Sequence, residues 1–151
     1  MLVGLISDTH GLLRPEALVA LQGSDLIIHA GDVGRPEVLD RLCKVAPTSA
    51  VRGNIDTQAW AAALPMTEAV EVGPHLIWVL HDIAQLDLDP TVGFAAVVYG
   101  HSHKPSIQAR DGVLFLNPGS AGPRRFRLPV TVGRLRVTAS GLRPQIVELD
   151  V

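Results

Sequence analysis

Apolar residues along this chain gather in short, nearly unbroken runs. LVGLI (2–6), DLIIHA (25–30) and SAVRG (49–53) read as strands buried on both faces, the pattern of a covered parallel sheet. HLIWVLH (75–81) and FAAVVYG (94–100) have the same character. Between these runs the period changes to that of a helix. Pro15 suits the first position of PEALVALQ and Gly23 its end. Pro36 opens PEVLDRLCKVA, which lines up Val38, Leu39, Leu42 and Val45 on one face. AWAAAL (59–64) predicts a further short helix, capped by Asp56 or Thr57. Later in the chain, SIQAR, VLFLN, VTVGRLRV and PQIVELD are separated by Gly, Pro and Asp. That spacing predicts hairpins of a second, more antiparallel sheet. The fold class is therefore α/β, with two stacked sheets and helices outside.

Composition narrows the functional classes. A chain of 151 residues, 47% of them hydrophobic, suits one domain spanning 1–151 with a real core. A formal charge of −2 gives no general attraction to nucleic acid. The lone Cys43 excludes an internal disulfide and falls on the apolar face of its helix, where a buried, inert thiol is expected. MLVGLISD has no basic region and is too short for a signal peptide, and no run approaches the ~18 apolar residues of a membrane span. A cytoplasmic protein is the expectation.

Metal-capable side chains follow the buried runs. Asp8 and His10 come after LVGLI, Asp32 after DLIIHA, Asn54 after SAVRG, His81 after HLIWVL, and His101 and His103 after FAAVVYG. The C-terminal edge of parallel strands is where open α/β sheets bind ligands. In an extended chain, residues two apart point the same way, so His101 and His103 would converge. Seven ligands exceed the needs of one ion; two ions sharing a carboxylate would use them all. Carboxylates, imidazoles and an amide oxygen, with no thiolate, suit Mn²⁺, Fe²⁺ or Zn²⁺. Paired ions about 3.5–4 Å apart are a standard clamp for in-line attack on phosphorus.

DxH, GD, GN, H and GHxH, in this order, resemble the calcineurin-like metallophosphoesterases, and their small phosphodiesterase branch that includes the retromer-subunit fold. The resemblance runs from Asp8 to about Arg124. It implies a four-layer α-β-β-α sandwich of two stacked mixed sheets, with a dinuclear site at the strand ends. It implies that Asp8, His10 and His103 bind a first ion and Asn54, His81 and His101 a second. Asp32 would bridge both ions together with a water or hydroxide. The implied cofactors are two divalent ions, Mn²⁺ foremost, with Zn²⁺, Fe²⁺ or Ni²⁺ as alternatives. The implied reaction is in-line attack of a metal-bridging hydroxide on a small phosphodiester or nucleotide-like substrate, with Asp32 and Asn54 as catalytic residues. NPGSAGPRRFR (117–127) resembles the family's NPGS…PR loop, so Arg124 and Asn54 are the substrate-binding candidates, whereas Arg125 and Arg127 read as solvated charge.

Singly, these residues have plainer explanations. Asp8 and Asp32 suit turns, and Asn54 after Gly53 is a common turn pair. Together they do not explain four of the chain's six histidines at strand ends. His29, inside a buried run, reads as a structural hydrogen-bonding residue or one that orients a ligand; His75 reads as a surface residue. Two departures stand out. GNI replaces the GNH of the larger phosphatases, so Ile55 supplies no proton to a leaving group. Asp82 replaces the usual Gly after His81; it can reach the second metal, hydrogen-bond a ligand or face solvent. The short stretch from His81 to Gly100 leaves little room for a helix. The alternative function is an interaction scaffold of the same fold with little or no catalysis. A processive nuclease lacks the needed basic and aromatic clusters. Exposed Trp60 or the C-terminal strands offer surfaces for a homo-oligomer.

Overall fold

The computed structural model describes residues 1–151. Two five-stranded mixed sheets lie face to face. In the first, β1 (Leu2–Ile6), β2 (Leu26–His29) and β3 (Thr48–Ala50) run parallel. In the second, β5 (His75–Leu80), β6 (Ala96–Val98) and β8 (Val113–Asn117) are parallel. This sheet is flanked by antiparallel β4 (Thr67–Val72) and β7 (Ser106–Arg110). The last hairpin, β9 (Thr131–Thr138) and β10 (Gly141–Glu148), returns to the first sheet, with β9 antiparallel to β1. The C-terminal strands are thus divided between the sheets instead of forming a sheet of their own. Only β7 and β8 extend the second. Hairpin patterning sets local pairing, but docking onto a distant strand depends on which face is apolar.

The interface between the sheets is apolar. Val3, Leu5, Ile28, Ala30 and Val51 from one side meet Val70, Ile77, Val79, Val98 and Leu116 from the other. At about 25 cal/mol per Å² of apolar area, such burial is the main force holding the layers together. The outer face of the first sheet is covered by α1 (Pro15–Ala20) and α2 (Pro36–Cys43), both opening on proline. Val38 and Leu42 are buried there, and Leu39 and Val45 pack beside them as the periodicity predicts. The second sheet's outer layer is thin: a three-residue 3-10 turn, Ile83–Gln85, beside Trp78, Leu80, Tyr99 and Phe115.

Several expectations change. The strand expected over SAVRG (49–53) is instead the three-residue, half-buried β3 at the sheet's edge, which starts at Thr48 and takes in only Ser49 and Ala50 of that run. AWAAAL forms a 3-10 helix, Ala59–Ala63, without a side-chain cap, since Asp56 is committed elsewhere. Its Trp60 is half-buried against the outer core. Cys43 is exposed, one position past the buried Leu42. β4 carries the alternation of a half-buried strand. No helix is long and apolar enough to cross a membrane.

Candidate metal centre

The ligand-bearing loops meet at one end of both sheets. Beyond β1, Asp8 N–H donates to Gly31 O (3.0 Å) and His10 N–H to Asp32 O (2.9 Å). These bonds lock the loop after β1 to the loop after β2. Gly31, Gly53 and Gly100 sit where a side chain does not fit. A Cβ at Gly53 would overlap Asp32, and one at Gly100 would overlap Ser7 Oγ. The glycines of the GD, GN and GH pairs therefore let three backbones approach His81, Asp32 and Asp8 closely.

Asp8 is fully buried. Its Oδ2 accepts from Ser7 Oγ (2.7 Å) and His101 N–H (3.1 Å). Its Oδ1 has no hydrogen-bond partner, yet lies 3.3 Å from His103 Nε2 and 3.8 Å from both His10 Nε2 and His81 Nε2. Asp32 Oδ1 accepts from Ile55 N–H (3.1 Å). Its Oδ2 lies 3.5 Å from His10 Nε2 and 3.3 Å from His81 Nε2. His81 holds Nδ1 2.8 Å from Ala30 O. That contact places the proton on Nδ1 and turns a bare Nε2 inward, the usual arrangement of a ligating imidazole. Two groups of potential ligands result: Asp8, His10 and His103, and Asp8, Asp32 and His81, the ligand atoms of each within 4.8 Å of one another.

Electrostatics fits this picture. Burial alone would raise the Asp8 pKa, but the His10 imidazole, the Ser7 hydroxyl and the charges of His81 and His103 bring it below the usual carboxylate value. Asp32 is likewise lowered; burial opposes, and His81 and the Ile55 amide prevail. Burial works against the charged form of His81, but Asp32, Asp8 and the Ala30 carbonyl raise its pKa. His103 is lowered, by burial first; the Asp8 charge opposes and the Arg125 charge reinforces the shift. Buried Asp8 Oδ1, His10 Nε2 and His81 Nε2 lack any hydrogen-bond donor or acceptor. Orphaned buried polar atoms of this kind are costly unless something fills the space between them. A divalent cation meets that need, and the mixed N/O donor set suits it.

Of the seven candidates, Asp8, His10, Asp32, His81 and His103 form the two groups. Asn54 and His101 lie on the rim, both exposed, with Asn54 Oδ1 3.2 Å from His101 Nδ1. His101 and His103 do not converge by strand alternation. β6 ends at Val98, and both residues have left-handed backbones, φ 72° and 63°, in the loop beyond. Asp8, His10 and Asp32 share that conformation at φ 55°, 47° and 56°. Asp82 caps the 3-10 turn through Ala84 N–H (3.0 Å), and its other oxygen lies 3.9 Å from His101 Nε2. Arg124 lines a recess of about 220 Å³ beside His10 and His103, but its guanidinium donates to Leu128 O and Val151 O. Arg125, also exposed, lines the same recess.

Two residues that the sequence offers only as the start of the NPGS motif and as a helix cap prove to position the ligand loops. Asn117 is fully buried; its amide donates to Gly100 O and Ser102 Oγ (3.1 Å each), and its Oδ1 accepts from Gly119 N–H (2.9 Å). It moors the loop that carries His101 and His103. Buried Asp56 accepts from the amides of Val33, Gly34 and Gly53, clamping the Asp32 and Asn54 loops together. His29 is structural, as expected: Nδ1 accepts from Gly31 N–H (3.1 Å), and Nε2 lies 3.0 Å from Thr9 Oγ1. His75 is half-buried, its Nε2 2.8 Å from Thr138 O.

Known proteins resemble this chain in sequence and fold. Residues 1–140 match the calcineurin-like phosphoesterase superfamily domain. A probable metallophosphoesterase of Methanothermobacter thermautotrophicus is 33% identical over 160 residues, covering 97% of this chain and 92% of its own. Among solved structures, a novel archaeal phosphodiesterase superposes with a TM-score of 0.76 at 22% identity, covering 97% of this chain and all of its own. Vps29 of Entamoeba histolytica in complex with Zn²⁺ gives a TM-score of 0.74 at 20% identity, covering 98% and 99% of the two chains. The fold, the ordered ligand loops and the match over nearly the whole chain lead to one conclusion: this protein belongs to the calcineurin-like phosphoesterase superfamily.

Proposed function

We propose that the protein is a phosphodiesterase working with two divalent ions, Mn²⁺ foremost. The observation that carries this reading is the meeting of three unpartnered buried atoms, Asp8 Oδ1, His10 Nε2 and His81 Nε2. Asp8, His10 and His103 would hold one ion and Asn54, His81 and His101 the other. Asp32, whose Oδ2 lies between His10 and His81, would serve both. When bound, the ions lower the pKa of a water and neutralise phosphoryl oxygens.

The chain's own residues do the rest. The Ile55 amide and the Ala30 carbonyl fix the orientations of Asp32 and His81. Asn54, on the exposed rim, offers its amide to a phosphoryl oxygen. The Arg124–Arg125 recess lies on the His10 and His103 side and suits an anionic substrate. Ile55 has no proton to give, so the leaving oxygen departs without general-acid help, which is worth about 10²–10⁴-fold where present. Small diesters with good leaving groups are therefore the favoured substrates.

The test is hydrolysis of bis(p-nitrophenyl) phosphate by chelator-stripped protein, with and without Mn²⁺, alongside Asp32→Ala. Turnover restored by Mn²⁺ and absent from the variant is the expected result. No turnover with any divalent ion would refute the reading and favour an interaction scaffold. Against the scaffold, all seven ligand positions hold residue types able to bind metal.

A further inference from the structure

The outer face of the last hairpin carries charge that nothing in the molecule balances. Register places Arg136 of β9 directly opposite Arg143 of β10, and Arg134 opposite Gln145. Residues two apart on a strand share a face, so the three arginines stand together. They line a recess of about 170 Å³ with Leu2, Pro144 and Gln145. Every side-chain ion pair within 4.0 Å in this protein is made by a histidine, so none of the three arginines has an acidic partner. Like charges directly opposite across an antiparallel pair destabilise the sheet. Arg134 is moreover fixed in place: its Nη1 donates to Ala20 O and Gln22 O at the end of α1.

We propose that Arg134, Arg136 and Arg143 form a second anion site that takes the phosphoryl group of a small molecule. Planar guanidinium forks match the oxygens of phosphate and bind them in pairs. The recess is small and its lining mainly polar, four of six residues being Arg or Gln, which suits a compact oxyanion better than a drug-sized ligand. It is also remote from the metal centre. Arg136 pairs with Leu2 at the start of β1, whereas Asp8 lies six residues on, about 20 Å along an extended chain. The site therefore binds independently of the chemistry proposed above.

The experiment titrates pyrophosphate onto the full, chelator-treated chain at physiological ionic strength, by calorimetry and thermal shift. Because pyrophosphate can also bind at the metal centre, the titration is made on Asp32→Ala. One binding event is expected there, weakened about tenfold or more when Arg136→Ser and Arg143→Ser are added, and unchanged by the charge control Lys44→Ser. Without ligand, the double arginine substitution should raise Tm by about 1–3 °C, because the cross-strand repulsion is gone. That rise also shows that the variant is folded. The proposal is overturned if Asp32→Ala binds no pyrophosphate, if the arginine substitutions leave binding intact, or if Lys44→Ser weakens it equally.

Discussion

Acid should attack this fold first at His29. Its imidazole is fully buried in β2, with Nδ1 accepting from Gly31 N–H and Nε2 against Thr9 Oγ1, which itself donates to Val33 O. Protonating Nδ1 would set one N–H against another inside the core. Burial accordingly pushes the pKa from 6.5 down to about 4. The unfolded chain takes up this proton near pH 6.5 and the folded chain not until about pH 4. Between those values the unfolded state binds more protons, so stability falls as pH falls. Linkage puts the loss at about 2 kcal/mol by pH 5 and about 3 kcal/mol by pH 4. Asp8, Asp32, His81 and His103 also titrate, so the clean measurement is a difference. Denaturant unfolding of chelator-treated wild type and His29→Gln, at pH 7.5 and pH 5, supplies it. Glutamine cannot take the proton, so wild type should lose about 2 kcal/mol more than the variant over this interval. Parallel pH profiles would refute the reasoning.

Asn117→Ala should lower Tm and loosen metal binding together. It strands the buried Gly119 amide and leaves the Gly100 carbonyl only its Ser102 N–H donor, a loss of about 1–3 kcal/mol, read by thermal denaturation. It also unmoors His101 and His103, which should weaken Mn²⁺ binding about 10–100-fold by calorimetry. A fall in Tm with unchanged Mn²⁺ affinity would show that Asn117 does not position the ligands. Ile55→His should restore general-acid help, raising turnover of alkyl phosphate esters relative to p-nitrophenyl esters about tenfold or more. An unchanged ratio would show that proton supply does not limit the leaving group.

Much of this architecture was legible in short stretches of chain. The apolar runs at 2–6, 25–30, 75–80 and 96–98 are strands because both of their faces are covered, and a covered strand has no reason to alternate. The residues following them reach one site because parallel strands end on the same edge. Legibility failed where contacts are distant in sequence. Nothing local in VTVGRLRV says that β9 will pair with β1, more than a hundred residues earlier. Asn117 looks like a turn former and Asp56 like a helix cap; only the fold reveals that both hold the ligand loops. For His101 and His103 the expectation of a shared site was sound but its stated cause was not. A loop brings them in, and Asn117 and Asp8 tie that loop down. Cys43 failed by one helical position, where about 100° of rotation separates core from solvent.

The left-handed backbones at Asp8, His10, Asp32, His101 and His103 carry a consequence for engineering. Each costs roughly 1–2 kcal/mol that glycine would not incur. A redesign scored only on the stability of the bare chain would favour glycine or asparagine at these five positions. It would gain thermal tolerance while dismantling the metal centre. Five of the seven non-glycine residues with positive φ lie at this centre, the other two being Asp111 and Phe126, so a backbone that asks for one residue where the chain supplies another narrows the search for selected chemistry.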